Sequence, residues 1–252
     1  MMKRALFRFA LFSSFFLLIT SQMAYSQANL DLETGIATST YNDVRIPNET
    51  GTLFSLTDDL LTDSKLFLRI RLGYRFAKKH NLIVLFAPLS LNASGQSAQE
   101  IHFNGENFPA QSHLKAKYTF NSYRITYRYD LKHTSRWIIG IGFTAKIRDA
   151  SIKLTGDNKS SEKTNVGFVP IINFYFNWKI ANRWSLLFEG DALASPGGQG
   201  RAEDVSMAVR YHLNDRLSFR AGYRLLEGGA DVDEVYNFAW INYFLAGITV
   251  SF

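Results

Sequence analysis

The chain contains no cysteine. That excludes disulfide staples, and it excludes anchoring through a lipid-modified cysteine. Beyond residue 26 it also lacks any apolar run of about 18 residues, so no segment there reads as a membrane-spanning helix. Its positive charge is smaller than it first looks. Residues 1–26 hold Lys3, Arg4 and Arg8 and no acid, so without them the formal net charge falls from +6 to +3. That residue of charge is no warrant for nucleic-acid binding. What the chain does have is aromatic side chains, 15% of its residues, high for a chain of slightly negative mean hydropathy and compatible with either a secreted β-sandwich or a membrane-embedded barrel.

Residues 1–26 set Lys3, Arg4 and Arg8 before the apolar stretch from Phe9 to Ile19 and close on Ala24-Tyr25-Ser26. A basic start, a short apolar core and small residues at −3 and −1 predict a cleaved secretory signal peptide. Residues 27–252 then form one domain, outside the reducing cytoplasm and without covalent cross-links.

Period-two alternation dominates that domain. In Lys65–Phe76, Leu66, Leu68, Ile70, Leu72, Tyr74 and Phe76 share one face, opposite Arg69, Arg71 and Arg75. Tyr123, Ile125, Tyr127, Tyr129 and Leu131 alternate with Arg124, Thr126, Arg128 and Asp130. Trp137, Ile139, Ile141, Phe143 and Ile147 alternate with Gly140, Gly142, Thr144, Lys146 and Arg148. Such alternation is a strand signal. It predicts ten strands, near 29–42, 64–76, 81–92, 115–131, 136–149, 165–180, 184–194, 203–213, 217–227 and 237–252. Short turns follow strands two, four, six and eight, and longer loops the others. That asymmetry belongs to an antiparallel up-and-down barrel threaded through a membrane. Tyr74, Phe76, Tyr127, Tyr129, Trp137, Trp178, Trp184, Tyr211 and Phe219 all lie beside the short turns, which reads as an interfacial girdle. A β-sandwich, the rival, would gather its aromatics in mid-strand.

The last ten residues, YFLAGITVSF, alternate to the end, with Phe244, Ala246, Ile248, Val250 and Phe252 on one face. With the leader and the alternating strands, this ending resembles that of small bacterial outer-membrane β-barrel proteins, over the whole of residues 27–252. Ten strands match the number in omptin-type proteases; eight, the alternative, would match OmpA-like and OmpW-like barrels. The resemblance implies an integral outer-membrane location and a monomer surrounded by outer-membrane lipid and lipopolysaccharide. It also implies that Phe252, Val250 and Ile248 form the signal read by the barrel-assembly machinery.

If apolar faces meet lipid, the other faces point inward. They carry Arg69, Arg71, Arg75, Arg124, Arg128, Lys146, Arg148, Arg210, Arg220 and Arg224, with Asp130, Glu189 and Asp191 as the evident acids. Turn lengths pair Tyr175 with Glu189, Asn173 with Asp191, Arg210 with Arg220 and Arg124 with Gly142. Two readings follow: a packed polar interior in which carboxylates compensate guanidinium groups, or a narrow anion-favouring channel. The expected role is therefore non-enzymatic, structural or small-solute transport.

Catalysis has little support. His80 and His133 fall in short turns and His212 at the same end, while His102 and His113 sit in the long loop after strand three. No spacing forces any of them beside a nucleophile and an acid, as a lipid A-modifying enzyme would need. A loop-mediated adhesin or receptor is the other alternative. Glu227–Glu234 carries four acids without the regular ligand spacing of a calcium loop, and no metal or cofactor is expected. Thr57–Asp63 is expected to hold a short helical turn capped by Thr57.

Overall fold

The computed structural model describes residues 27–156, 158–194 and 199–252. The predicted signal peptide at 1–26 and most of the Ser195–Gly200 loop lie outside them. Ten long strands make the body: β1 (Gln27–Arg45), β2 (Lys65–Phe76), β3 (His80–Ala87), β4 (His113–His133), β5 (Trp137–Gly156), β6 (Lys159–Ala181), β7 (Trp184–Ala194), β8 (Gly200–His212), β9 (Leu217–Val232) and β10 (Val235–Ser251). No helix occurs among the described residues. Each strand pairs antiparallel with the next, and β10 closes on β1 from Asn29↔Ser251 to Arg45↔Tyr236. Closure leaves no open edge, which hydrocarbon would not tolerate.

The outer wall is the apolar face predicted from alternation. Leu66, Leu72, Ile125, Ile141, Phe143, Phe168, Ile172, Met207 and Phe244 are all exposed on it. In β3, where apolar residues occur at both parities of the sequence, Leu82, Val84 and Phe86 face out while Asn81 and Leu85 are buried inside. At the short-turn end, neighbouring rings touch: Trp137 stacks on Trp178 at 5.1 Å, Trp184 lies 4.8 Å from Tyr211, and His80 joins Phe76 to Tyr129.

The other end differs from the sequence expectation. β5 and β6 run 20 and 23 residues, about twice the length a bilayer requires of a strand. Gly156 pairs with Lys159, and Val232 with Val235, so the expected long loops after strands five and nine are tight hairpin tips. Beyond the hydrocarbon both faces meet water or protein, so apolar alternation stops although the hydrogen-bonded ladder continues. The expected third strand breaks at Pro88, beyond which Ser90–Gln96 pairs with the first residues of β4. The expected helical turn near Thr57 is absent; Ser55 Oγ accepts from the amides of Thr57 and Asp58 in a plain turn.

The segments between β1 and β2 and between β3 and β4 fold into this projecting end. Ile46, Phe54, Leu56, Leu60, Leu91, Ile101, Phe103, Phe108 and Leu114 pack there with Ile152 and Leu154. The water-type hydrophobic core of the protein therefore lies at one end of the barrel, and mid-height is left to polar groups.

Candidate functional site

Inward positions at mid-height come from every side of the barrel. β1 supplies Asp31 and Glu33, β2 Arg69 and Arg71, β4 Arg124 and Arg128, β7 Glu189 and Asp191, β8 Asp204, and β9 Arg220 and Arg224. Arg224 reaches Glu33 at 2.8 Å and Asp204 at 2.6 Å. Arg220 binds Asp31 and lies 2.8 Å from Glu33. Arg124 bridges Asp191 at 2.6 Å and Asp204 at 2.5 Å. Arg69 lies 3.0 Å from Asp204, and Arg71 lies 2.7 Å from Glu189. Arg224 Nη2 lies 3.7 Å from Glu189, so five guanidinium groups meet five carboxylates in one connected network, Arg69, Arg71, Arg124, Arg220 and Arg224 against Asp31, Glu33, Glu189, Asp191 and Asp204. Desolvating that much charge is costly, and only multiple pairing with good geometry offsets it.

Glycines make room for the larger side chains. A Cβ on Gly247 would lie 2.9 Å from Arg220 Cζ, and one on Gly140 would lie 2.9 Å from Arg128 Cδ. The expected pairing of Arg124 with Gly142 is wrong by four residues. The β4–β5 turn is centred further along, so Arg124 faces Lys146 and Arg128 faces Gly142. The pairings Tyr175↔Glu189, Asn173↔Asp191 and Arg210↔Arg220 occur as read from turn length.

The remaining predicted lumen residues stand outside the five-by-five network. Arg128 lies over the Tyr175 ring at 3.8 Å, with its Nε 3.5 Å from Asp130. Arg210 is near the short-turn end, and its Nε has no hydrogen-bond partner. Lys146 lies over Phe120, 4.8 Å from the ring centroid, and Arg148 donates to Asn165 Oδ1. Sequence reading missed Asp31, Glu33 and Asp204. Their signal was present: Leu30, Leu32 and Ile36 share the outward parity of β1, which puts Asp31 and Glu33 inside.

The five histidines do not converge. His80 contacts Tyr127, His102 contacts Asn107, His133 contacts Asp130, His212 contacts Ser185, and His113 is exposed at the start of β4. No cluster of three metal-ligating side chains occurs among the described residues. At the projecting end, Lys163 of β6 reaches the β9–β10 tip, where its Nζ is 2.7 Å from Glu234 Oε2. That hydrogen bond and the lysine charge hold the Glu234 carboxyl below the usual carboxylate range. At the end of β10, the amide of Phe252 donates to the Ala28 carbonyl at 2.9 Å, and the ring is 75% exposed.

The closed ten-strand ladder and its inverted polarity, apolar outside and charged inside, decide the fold. It is an outer-membrane β-barrel fold. No protein-family model matches the sequence, and no curated protein matches it. Among solved structures the chain is similar to the outer membrane protease OmpT from Escherichia coli. The TM-score is 0.57 at 9% identity, over 90% of this chain and 97% of that one. The translocator domain of the autotransporter NalP from Neisseria meningitidis gives a TM-score of 0.41 at 6% identity, covering 96% and 95% of the two chains. Ail, the attachment invasion locus protein of Yersinia pestis, gives 0.38 at 8% identity, covering 89% and 99%. The fold assignment rests on the first of these and on the closed ladder itself.

Proposed function

We propose that this barrel is an integral protein of the bacterial outer membrane whose lumen is closed at mid-height, so that it does not conduct solutes. One observation carries this reading: every arginine of the central network is matched by a carboxylate, and the gap beside Arg71, Arg124, Arg224, Glu189, Asp191 and Asp204 is about 30 Å³. That gap admits about one water molecule and no hydrated anion. A charged ring selects anions only where its charge is free to act on a passing ion; here the charge is neutralised in place. The network joins β1, β2, β4, β7, β8 and β9 across the barrel and serves as both plug and strut. The short-turn end with its aromatic ring faces the periplasm, and the long hairpins project outward past lipopolysaccharide. In this reading the chain acts as a monomer and its exposed terminal Phe252 is used in assembly. The fold shared with OmpT does not bring a protease reading, because no histidine joins the acids of the lumen network.

The test is single-channel recording with the folded protein in planar bilayers. Absence of discrete conductance steps over repeated insertions supports the closed barrel. Steady, anion-selective steps from the unaltered protein would overturn it.

A further inference from the structure

Above the central network lies a cavity of about 800 Å³. Tyr118, Phe120 and Ile152 form one wall, and Leu226, Ala239 and Ile241 form the opposite one. It extends to the tip of the β9–β10 hairpin, where residues 231–234 are exposed, so the cavity communicates with water at the projecting end. Its volume falls in the range of small-molecule sites, roughly 300–1,000 Å³.

Lys146 stands at its floor. The side chain is 2% exposed, and among the described residues it has neither an ion pair nor a hydrogen bond. Its neighbours compound the imbalance. Arg124 is its cross-strand partner on β4, already committed to Asp191 and Asp204. Arg148, two residues on, donates through Nη2 to Asn165, while its buried Nε has no partner. Like charges held opposite each other destabilise a sheet, and an unpaired buried cation is costly. The acids of the cavity are higher up and mostly engaged: Glu227 with Arg201, Glu234 with Lys163, and Asp231 with Asn48. Asp233 remains at the exposed rim. What the cavity lacks is a negative charge at its floor, between apolar walls.

We propose that this cavity binds a monoanionic amphiphile of the fatty-acid kind, with its carboxylate at Lys146 and Arg148 and its alkyl chain between the two walls. The inference rests on the closed-lumen reading, since Lys146 at the inner end of the site lies directly across the ladder from Arg124 of the network. A carboxylate there supplies the missing counter-charge in a low-dielectric setting, where a charge-assisted hydrogen bond is strongest. An uncharged chain of equal length gains the apolar contacts and leaves the lysine unpaired.

The experiment is calorimetric titration of the folded chain in neutral-lipid nanodiscs with decanoate and with decanol, empty nanodiscs being subtracted. Saturable one-to-one binding of decanoate is expected, at least ten-fold tighter than decanol, and weakened at least ten-fold in Lys146→Met. Ala150→Trp, which fills the cavity away from the lysine, is expected to abolish binding of both. No saturable heat above empty discs, or unchanged decanoate affinity in either variant, would overturn the site. Conductance recorded from the same preparation separates the two ideas: a silent protein that does not bind removes this inference alone, and a conducting one removes the closed barrel.

Discussion

Arg224 and Glu33 meet side-on inside the barrel, with Nε 2.8 Å from Oε1 and Nη2 3.0 Å from Oε2, both side chains 2% exposed. The third arm of the guanidinium reaches Asp204 at 2.6 Å. Arg224→Met removes one cation and leaves two buried carboxylates short of a partner. We expect a loss of about 3–5 kcal/mol, read from denaturant unfolding of the folded barrel followed by heat-modifiable gel mobility. A change below 1 kcal/mol would show the network to be slack.

Lys146→Met should act in the opposite sense. No ion pair or hydrogen bond is lost, only the contact with the Phe120 ring, and a buried ammonium without a carboxylate partner is replaced by a side chain of similar reach. Without ligand, the same unfolding assay should show a gain of about 1 kcal/mol or more. Destabilisation would mean that Lys146 is already compensated in the empty protein.

The Lys163–Glu234 contact makes a pH prediction at the projecting end. Lys163 holds the Glu234 carboxyl below its ordinary value. For a depressed carboxylate, the stabilisation is present above the unfolded value, near 4.3. It is lost as pH falls through the folded value. Carbon-detected NMR titration should place the Glu234 midpoint below that of an unpaired glutamate, and Lys163→Gln should restore it. Equal midpoints in the two proteins would contradict the contact.

Phe252 contributes one backbone hydrogen bond to Ala28 and an exposed ring. Its deletion should therefore cost the folded barrel little, about 1 kcal/mol, while lowering its level in the outer membrane several-fold. Quantitative immunoblotting of membrane fractions, set beside unfolding of the refolded variant, checks both halves. Unchanged membrane levels would remove the assembly role.

Much of the barrel was legible before any coordinates. Alternation in Lys65–Phe76 and Ser122–Leu131 names the lipid face, because a strand turns successive side chains to opposite sides and the two sides meet different solvents. The terminal Phe244–Phe252 face locates the closing strand for the same reason. Hairpin registers such as Tyr175↔Glu189 follow from turn length. Arg124 was misplaced because the sequence does not fix where the β4–β5 turn is centred, and the ladder that starts at Ile138↔His133 puts Lys146 opposite it. The long hairpin tips were misread as loops, since strand pairing above the membrane leaves no apolar signature.

Other features belong to tertiary structure alone. Sequence places ten cations on inward faces but cannot say which carboxylate each one meets, because partners come from strands up to 191 residues apart, as in Arg224 and Glu33. It cannot show that the central five arginines are neutralised while Lys146 is not, a distinction decided by distances across the lumen. Local alternation determines inside and outside, strand by strand. Closure of ten strands into a ring determines which charges cancel, and therefore whether the lumen is a path or a floor.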